Sequence, residues 1–148
     1  MCFFCFGSVL KKGFNNKKVH TVIYTHGHID HCMGILSFDE CADVQVIGHK
    51  NVPARFDRYK ATNGYNAIIN SKQFNAPPFF PSTFRYPDVT YEDKLEINVG
   101  GVQLVLNHHR GETDDATWVW IPHRKAICSG DFVVTILFHP VARQSNAQ

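Results

Sequence analysis

The sequence predicts a mixed α/β (α+β) layered domain, and three observations carry that prediction. A short strand rich in β-branched residues runs straight into a histidine-rich loop and a helix. The middle of the chain has helical periodicity interrupted once. The last third holds two hairpin signals.

The elements follow in order. Val19 to Tyr24 (VHTVIY) combines β-branched and aromatic residues and reads as a buried strand. Asp30 to about Cys41 reads as a short helix after a loop, with Asp30 as its N-cap. Val44 to Gly48 is a second short strand. From Asn51 to Phe74 the pattern is helical, with Phe56, Tyr59 and Lys60 on one face and Gly64 dividing the run into two helices. Ala76 to Pro87 holds four of the seven prolines among aromatic residues, and a proline-rich stretch lacks the donors of a central strand. It is an ordered loop, and its Phe79, Phe80, Phe84 and Tyr86 form either an apolar substrate wall or rings that pin the loop to the core. Leu95 to Val99 and Val102 to Leu106 flank Gly100-Gly101, a two-residue hairpin signal. Thr117 to Ile121 and Lys125 to Ser129 flank a second turn. Residues 1–18 read as an irregular segment, 19–138 as the domain and 139–148 as a polar tail.

Composition excludes several classes. With 148 residues, 44% apolar and 19% charged, the chain can bury one domain's core and is not a disordered segment. The net charge of +2 comes from scattered Lys and Arg, which argues against a nucleic-acid partner. Five cysteines without a regular framework point to reduced thiols. Cys2 and Cys5 form a C-x-x-C with no second pair at zinc spacing, so a frayed start is favoured over a metal or redox role. The apolar opening is too short to span a bilayer, and its lysines follow the apolar run where a secretory signal puts them first. The expectation is a cytoplasmic protein with no membrane partner.

The string THGHIDHCMG, Thr25 to Gly34, carries the chemistry. His26 and His28 lie two apart in an extended segment, so both imidazoles point the same way and can grip one metal. Asp30 and His31 come after the chain turns into the helix and would face a second metal. With nine His in 148 residues, four such fixed positions arise by chance on the order of once in five hundred chains. The competing reading is an exposed, histidine-rich polar loop.

A His-x-His-x-Asp-His after a buried strand resembles the signature of the metallo-β-lactamase superfamily. That resemblance implies an αββα four-layer sandwich with two metals between the sheets. It also implies two further ligands downstream: one in a turn after a hairpin strand, the other an acidic residue ending a later strand. The first falls at Gly111-Glu112-Thr113, where the superfamily usually has Gly-His-Thr. The second falls at Asp131 in SGDF, nineteen residues on (131 − 112). Glu112 is thus assigned to the first metal, with His109 as the main alternative and His108 as another, and Asp131 to a bridge between the two. A carboxylate at the first of these positions is similar to the alkylsulfatase branch, which Asn63 to Asn70 (NGYNAIIN) also loosely resembles.

The implied activity is hydrolysis of an ester-type bond, with a sulfate ester the best single guess, by attack of metal-bound hydroxide. The cofactor is two zinc ions, with iron or manganese as substitutes, and the substrate is a small molecule. Asp30 and Asp131 would hold the attacking oxygen in line. Asp114 and Asp115 read as turn residues, with a hydrogen bond to a metal-bound imidazole as their other role. His108 reads as an exposed strand end, while His20, His49 and His123 are given no chemistry. Trp118 and Trp120 read as packing residues.

The resemblance covers Val19 to Phe132 and departs from the superfamily at both ends. The strands that usually precede the loop are replaced by a short, odd segment. The last histidine for the second metal has only His139 to fill it, eight residues after Asp131 (139 − 131). The expectation is therefore an incomplete sandwich whose open sheet edge leaves room for a homodimer. Two other readings stay open: an iron-dependent oxidoreductase on the same scaffold, and a truncated, non-catalytic fragment.

Overall fold

The computed structural model describes residues 19–37, 43–62, 64–75, 77–78 and 80–133. The C-x-x-C at Cys2 and Cys5, Cys41, Phe79, the polar tail and His139 lie outside the described residues.

Two sheets form the centre. Strands β1 (Thr21–Ile23), β2 (Gln45–His49) and β3 (Val89–Tyr91) make a parallel sheet in the order β1-β2-β3. Its register runs through Ile23↔Ile47 and Ile47↔Val89. Parallel neighbours need long crossovers, and helices supply them. Between β1 and β2 come α1 (Ile29–Cys32) and a 3-10 segment, Met33–Ser37. Between β2 and β3 come α2 (Val52–Ala61) and α3 (Tyr65–Phe74). Strands β4 (Lys94–Val99), β5 (Val102–His108), β6 (Thr117–Ile121) and β7 (Ala126–Cys128) form an antiparallel meander in chain order.

Side chains alternate across a strand, and here the alternation divides the core in two. Val22 and Val46 face the helices, joining Tyr24, Cys32, Val52, Phe56 and Tyr59 in one cluster. Ile23 and Ile47 face the other way and meet Tyr91, Leu106 and Val119, so the parallel and antiparallel sheets pack face to face. The layers among the described residues therefore run helix, sheet, sheet, three of the four layers of an αββα sandwich. On the outer face of the meander Trp118 and Trp120 are partly exposed, and Ile127 is 58% exposed.

Most expected elements stand where the sequence put them, within a residue or two at their ends. Gly64 does divide the helices and begins α3 with a left-handed φ of 79°. The hairpin turns at Gly100-Gly101, with β4 and β5 in register from Lys94↔Asn107 to Val99↔Val102. Three details differ. Helix α1 starts earlier than expected, with His28 at its N-cap (φ −69°, ψ 145°) and no side-chain cap, so Asp30 lies within its first turn. His49, one residue past the expected end of its strand, is the buried last residue of β2. On α2 the buried face is Val52, Arg55, Phe56 and Tyr59, spaced i, i+3, i+4 and i+7. Lys60 falls outside that face and lies over the Tyr86 ring.

The aromatic loop is pinned to the core. Phe84 packs on Phe56 with ring centroids 4.9 Å apart and is met by Phe80 at 5.8 Å. These rings are used in packing the helical layer. No described helix is long and apolar enough to cross a membrane.

Candidate metal centre

The histidine-rich loop leaves the C-terminal end of β1, where ligands of open parallel sheets are usually held. Its path is fixed by backbone bonds at both sides. Tyr24 N–H donates to Ile47 O at 2.9 Å, and Thr117 N–H donates to Thr25 O at 2.6 Å. The second bond joins the loop to β6, and so to the other sheet. Beneath the loop the buried Cys32 thiol donates to His26 O at 3.0 Å.

The extended backbone brings the two nearest imidazoles together, as their spacing implies. His26 Nε2 and His28 Nδ1 are 3.0 Å apart. The Glu112 carboxylate approaches both, with Oε2 3.6 Å from His26 Nε2 and 3.4 Å from His28 Nδ1. A tetrahedral cation with bonds of about 2.0–2.1 Å sets its ligand atoms about 3.3 Å apart. The three observed separations bracket that spacing, so this donor set fits a divalent cation.

A second group adjoins it. His31 Nε2 lies 3.4 Å from Asp131 Oδ2 and 3.5 Å from Asp30 Oδ2. Asp131 Oδ2 is also 3.9 Å from His26 Nε2. His26 offers one ring nitrogen to the cluster, and its shorter contacts are with His28 and Glu112. Its Nδ1 sits 3.2 Å from the Thr25 hydroxyl, which suits a proton on Nδ1 and a free lone pair on Nε2. Burial, together with the neighbouring His31 and His28, lowers the His26 pKa to about 4. The ring is therefore neutral near pH 7, the form that a metal ligand needs.

Asp131 sits on a 3-10 turn, Gly130–Phe132, just beyond β7. A side chain on Gly130 would place its Cβ 2.8 Å from Thr25 Cβ. The close approach permitted there is what brings Asp131 against the loop. Thr25, Thr113, Ser129 and Phe132 line the same region beside His26, Glu112 and Asp131.

Every residue expected at the site thus lies in one region: His26, His28, Asp30, His31, Glu112 and Asp131. Asp30 is the most exposed, at 78%. The alternative, His109, points elsewhere; it is exposed, with Nδ1 3.0 Å from Arg110 O. His108 is no exposed strand end, since its ring stacks on His49 at 3.8 Å.

The sequence assigns Arg55 no role and Asp115 a different one. Asp115, expected as a turn residue or an imidazole partner, is fully buried. It accepts hydrogen bonds from Gly27 N–H and Arg55 Nε–H, each at 2.9 Å. Arg55 had a legible signal. It is a charge on the apolar face of α2, and a buried charge requires a partner.

Comparison with known proteins agrees with this architecture. The model of the metallo-beta-lactamase superfamily matches residues 6–144. The chain belongs to that superfamily. Among solved structures it is similar to a metallo-beta-lactamase from Pontibacter korlensis, at 21% identity and a TM-score of 0.52, over 81% of this chain and 45% of that one. It is also similar to a doubly substituted form of the sec-alkyl sulfatase PisA1, at 16% identity and a TM-score of 0.62, over 86% of this chain and 24% of that one. A third likeness is to the metallo-beta-lactamase IND-7, at 18% identity and a TM-score of 0.50, over 84% of this chain and 45% of that one. The chain thus spans between about a quarter and under half of these structures. Curated protein sequences give no match.

Proposed function

We propose that this chain carries the dinuclear centre of a hydrolase acting on an ester-type bond, a sulfate ester being the favoured substrate. The supporting observation is the meeting of three imidazoles from one loop with two carboxylates from the other sheet. In this reading His26, His28 and Glu112 would hold one zinc ion, and Asp30, His31 and Asp131 would hold the other.

The zinc ions, when bound, would polarise the ester and supply hydroxide near neutral pH. The chain's own residues do the rest. Thr25 fixes the ring of His26 through Nδ1. Asp30 and Asp131 orient the attacking water as hydrogen-bond acceptors. Glu112, half exposed, borders the open side through which a substrate enters.

Two adjacent cations would draw in the oxygens of an anionic ester group. As ligands, Glu112, Asp30 and Asp131 would bring three negative charges against the four positive charges of two divalent ions. The attacking hydroxide would balance the remaining charge, so the pull on a sulfate ester would come from each cation on the nearest sulfate oxygens and not from a net charge. The carboxylate at position 112 and the likeness to a sec-alkyl sulfatase favour the same substrate.

The test is metal content and turnover together. Refolded with zinc, the protein is expected to retain about two equivalents and to release sulfate from alkyl sulfates. Retention of no zinc, or activity equal to that of His26→Ala, contradicts the proposal.

A further inference from the structure

We infer that Arg55 and Asp115 are positioning residues for this centre. The Asp115 carboxylate, clamped by Arg55, ties the loop bearing His26 and His28 to the turn bearing Glu112, and so sets the span between the ligand atoms. The inference deepens the hydrolase reading and rests on it.

The geometry is economical. A single oxygen, Asp115 Oδ2, accepts from Gly27 N–H and from Arg55 Nε–H, each at 2.9 Å. Gly27 lies between the two imidazole-bearing residues. Asp115 lies three residues after Glu112 in the same turn. Arg55 comes from α2, sixty residues away in sequence (115 − 55), and also pairs with Asp114. One buried ion pair therefore joins a helix, the loop after β1 and the turn between β5 and β6.

The junction leaves little slack. A Cβ on Gly27 would lie 2.8 Å from both Asp115 Oδ2 and Arg55 Cδ. The Asp115 side chain is wholly buried, and that of Arg55 is 10% exposed. Neither side chain is among the groups that face one another across the site, so both act through the backbone that carries the ligands. Outer partners that orient metal ligands typically contribute about 10–100-fold to metal affinity.

Four forms of the protein test the inference: wild type, Asp115→Ala, Asp115→Asn and Arg55→Lys. Folding is followed by circular dichroism, zinc affinity by competition with a chromophoric chelator, and ligand geometry by the visible spectrum of the cobalt(II)-loaded protein. Asp115→Ala is expected to bind zinc about 10–100-fold more weakly with an altered cobalt spectrum. Asp115→Asn keeps an oxygen for Gly27 N–H and is expected to recover part of the loss. If Asp115→Ala melts earlier yet keeps wild-type zinc affinity and cobalt spectrum, the pair only packs and the inference falls while the hydrolase reading stands. Should Asp115→Ala not fold, wild-type behaviour of both Asp115→Asn and Arg55→Lys overturns it equally. A wild-type protein that binds no zinc removes the hydrolase reading and the inference together.

Discussion

Glu112 Oε2 lies 3.4 Å from His28 Nδ1, although the two residues are 84 positions apart (112 − 28). His28 is delivered by a loop after the parallel sheet, and Glu112 by a turn of the antiparallel meander. Face-to-face packing of the two sheets brings loop and turn to the same edge, and the site is a product of that packing.

Removing the charge of Glu112 separates binding from folding. Its side chain is 49% exposed, so Glu112→Gln is expected to change stability by no more than about 0.5 kcal/mol. Zinc affinity is expected to fall by more than about 100-fold, the upper end for groups that act only at second hand. Chelator competition and urea unfolding on the same samples check both parts.

Gly27→Ala addresses the close packing under the loop. The added methyl meets Arg55 and Asp115 at 2.8 Å, and overpacking of this kind costs about 1–3 kcal/mol. A lowered melting temperature with weakened zinc binding is expected. Unchanged values for both would show that the loop relaxes freely.

The Arg55–Asp115 pair gives stability a defined acid limb. Burial would raise the Asp115 pKa, but hydrogen bonds from the Arg55 guanidinium and Gly27 N–H, with the Arg55 charge, hold the carboxyl below its usual value. A depressed folded pKa gives stability that is present above the unfolded value of about 3.9 and is lost as pH falls through the folded one. Breaking such a buried pair costs about 3–5 kcal/mol. Asp115→Asn is therefore expected to be less stable at pH 7 and to lose less than wild type on acidification. Urea titrations at several pH values between neutrality and the acid limb would show it, and parallel curves would contradict it.

Tyr91 gives the alkaline counterpart. Its phenol is buried, which pushes its pKa up to about 12, against the opposing effect of its bond to Thr117 at 2.6 Å. A raised folded pKa gives stability that is full below the unfolded value of about 10 and is lost as pH rises toward the folded one, a loss of about 2–3 kcal/mol. Tyr91→Phe is expected to remove that limb. An identical alkaline decline in the variant would show that Tyr91 is not its source.

What could be read from the sequence was what local spacing encodes. His26 and His28 two apart at a strand end, Gly64 between helical runs and Gly100-Gly101 between strands each act within a few residues. Their elements stand where expected. Asp30 suits a cap by residue type, yet the chain turns into the helix two residues earlier, at His28. Arg55 with Asp115 and His49 with His108 could not be paired, since their contacts arise from how helix, loop and sheets stack. Glu112 and Asp131 were reached through family resemblance, and spacing alone would have left His109 as good a candidate as Glu112.

The central claim is that one loop and two distant carboxylates hold a pair of cations. Anomalous diffraction at the zinc absorption edge, from crystals of the zinc-loaded protein, tests it directly. The account predicts two peaks a few ångströms apart, one among His26, His28 and Glu112 and the other among Asp30, His31 and Asp131. No peak there, or zinc seated only at other histidines, would contradict it.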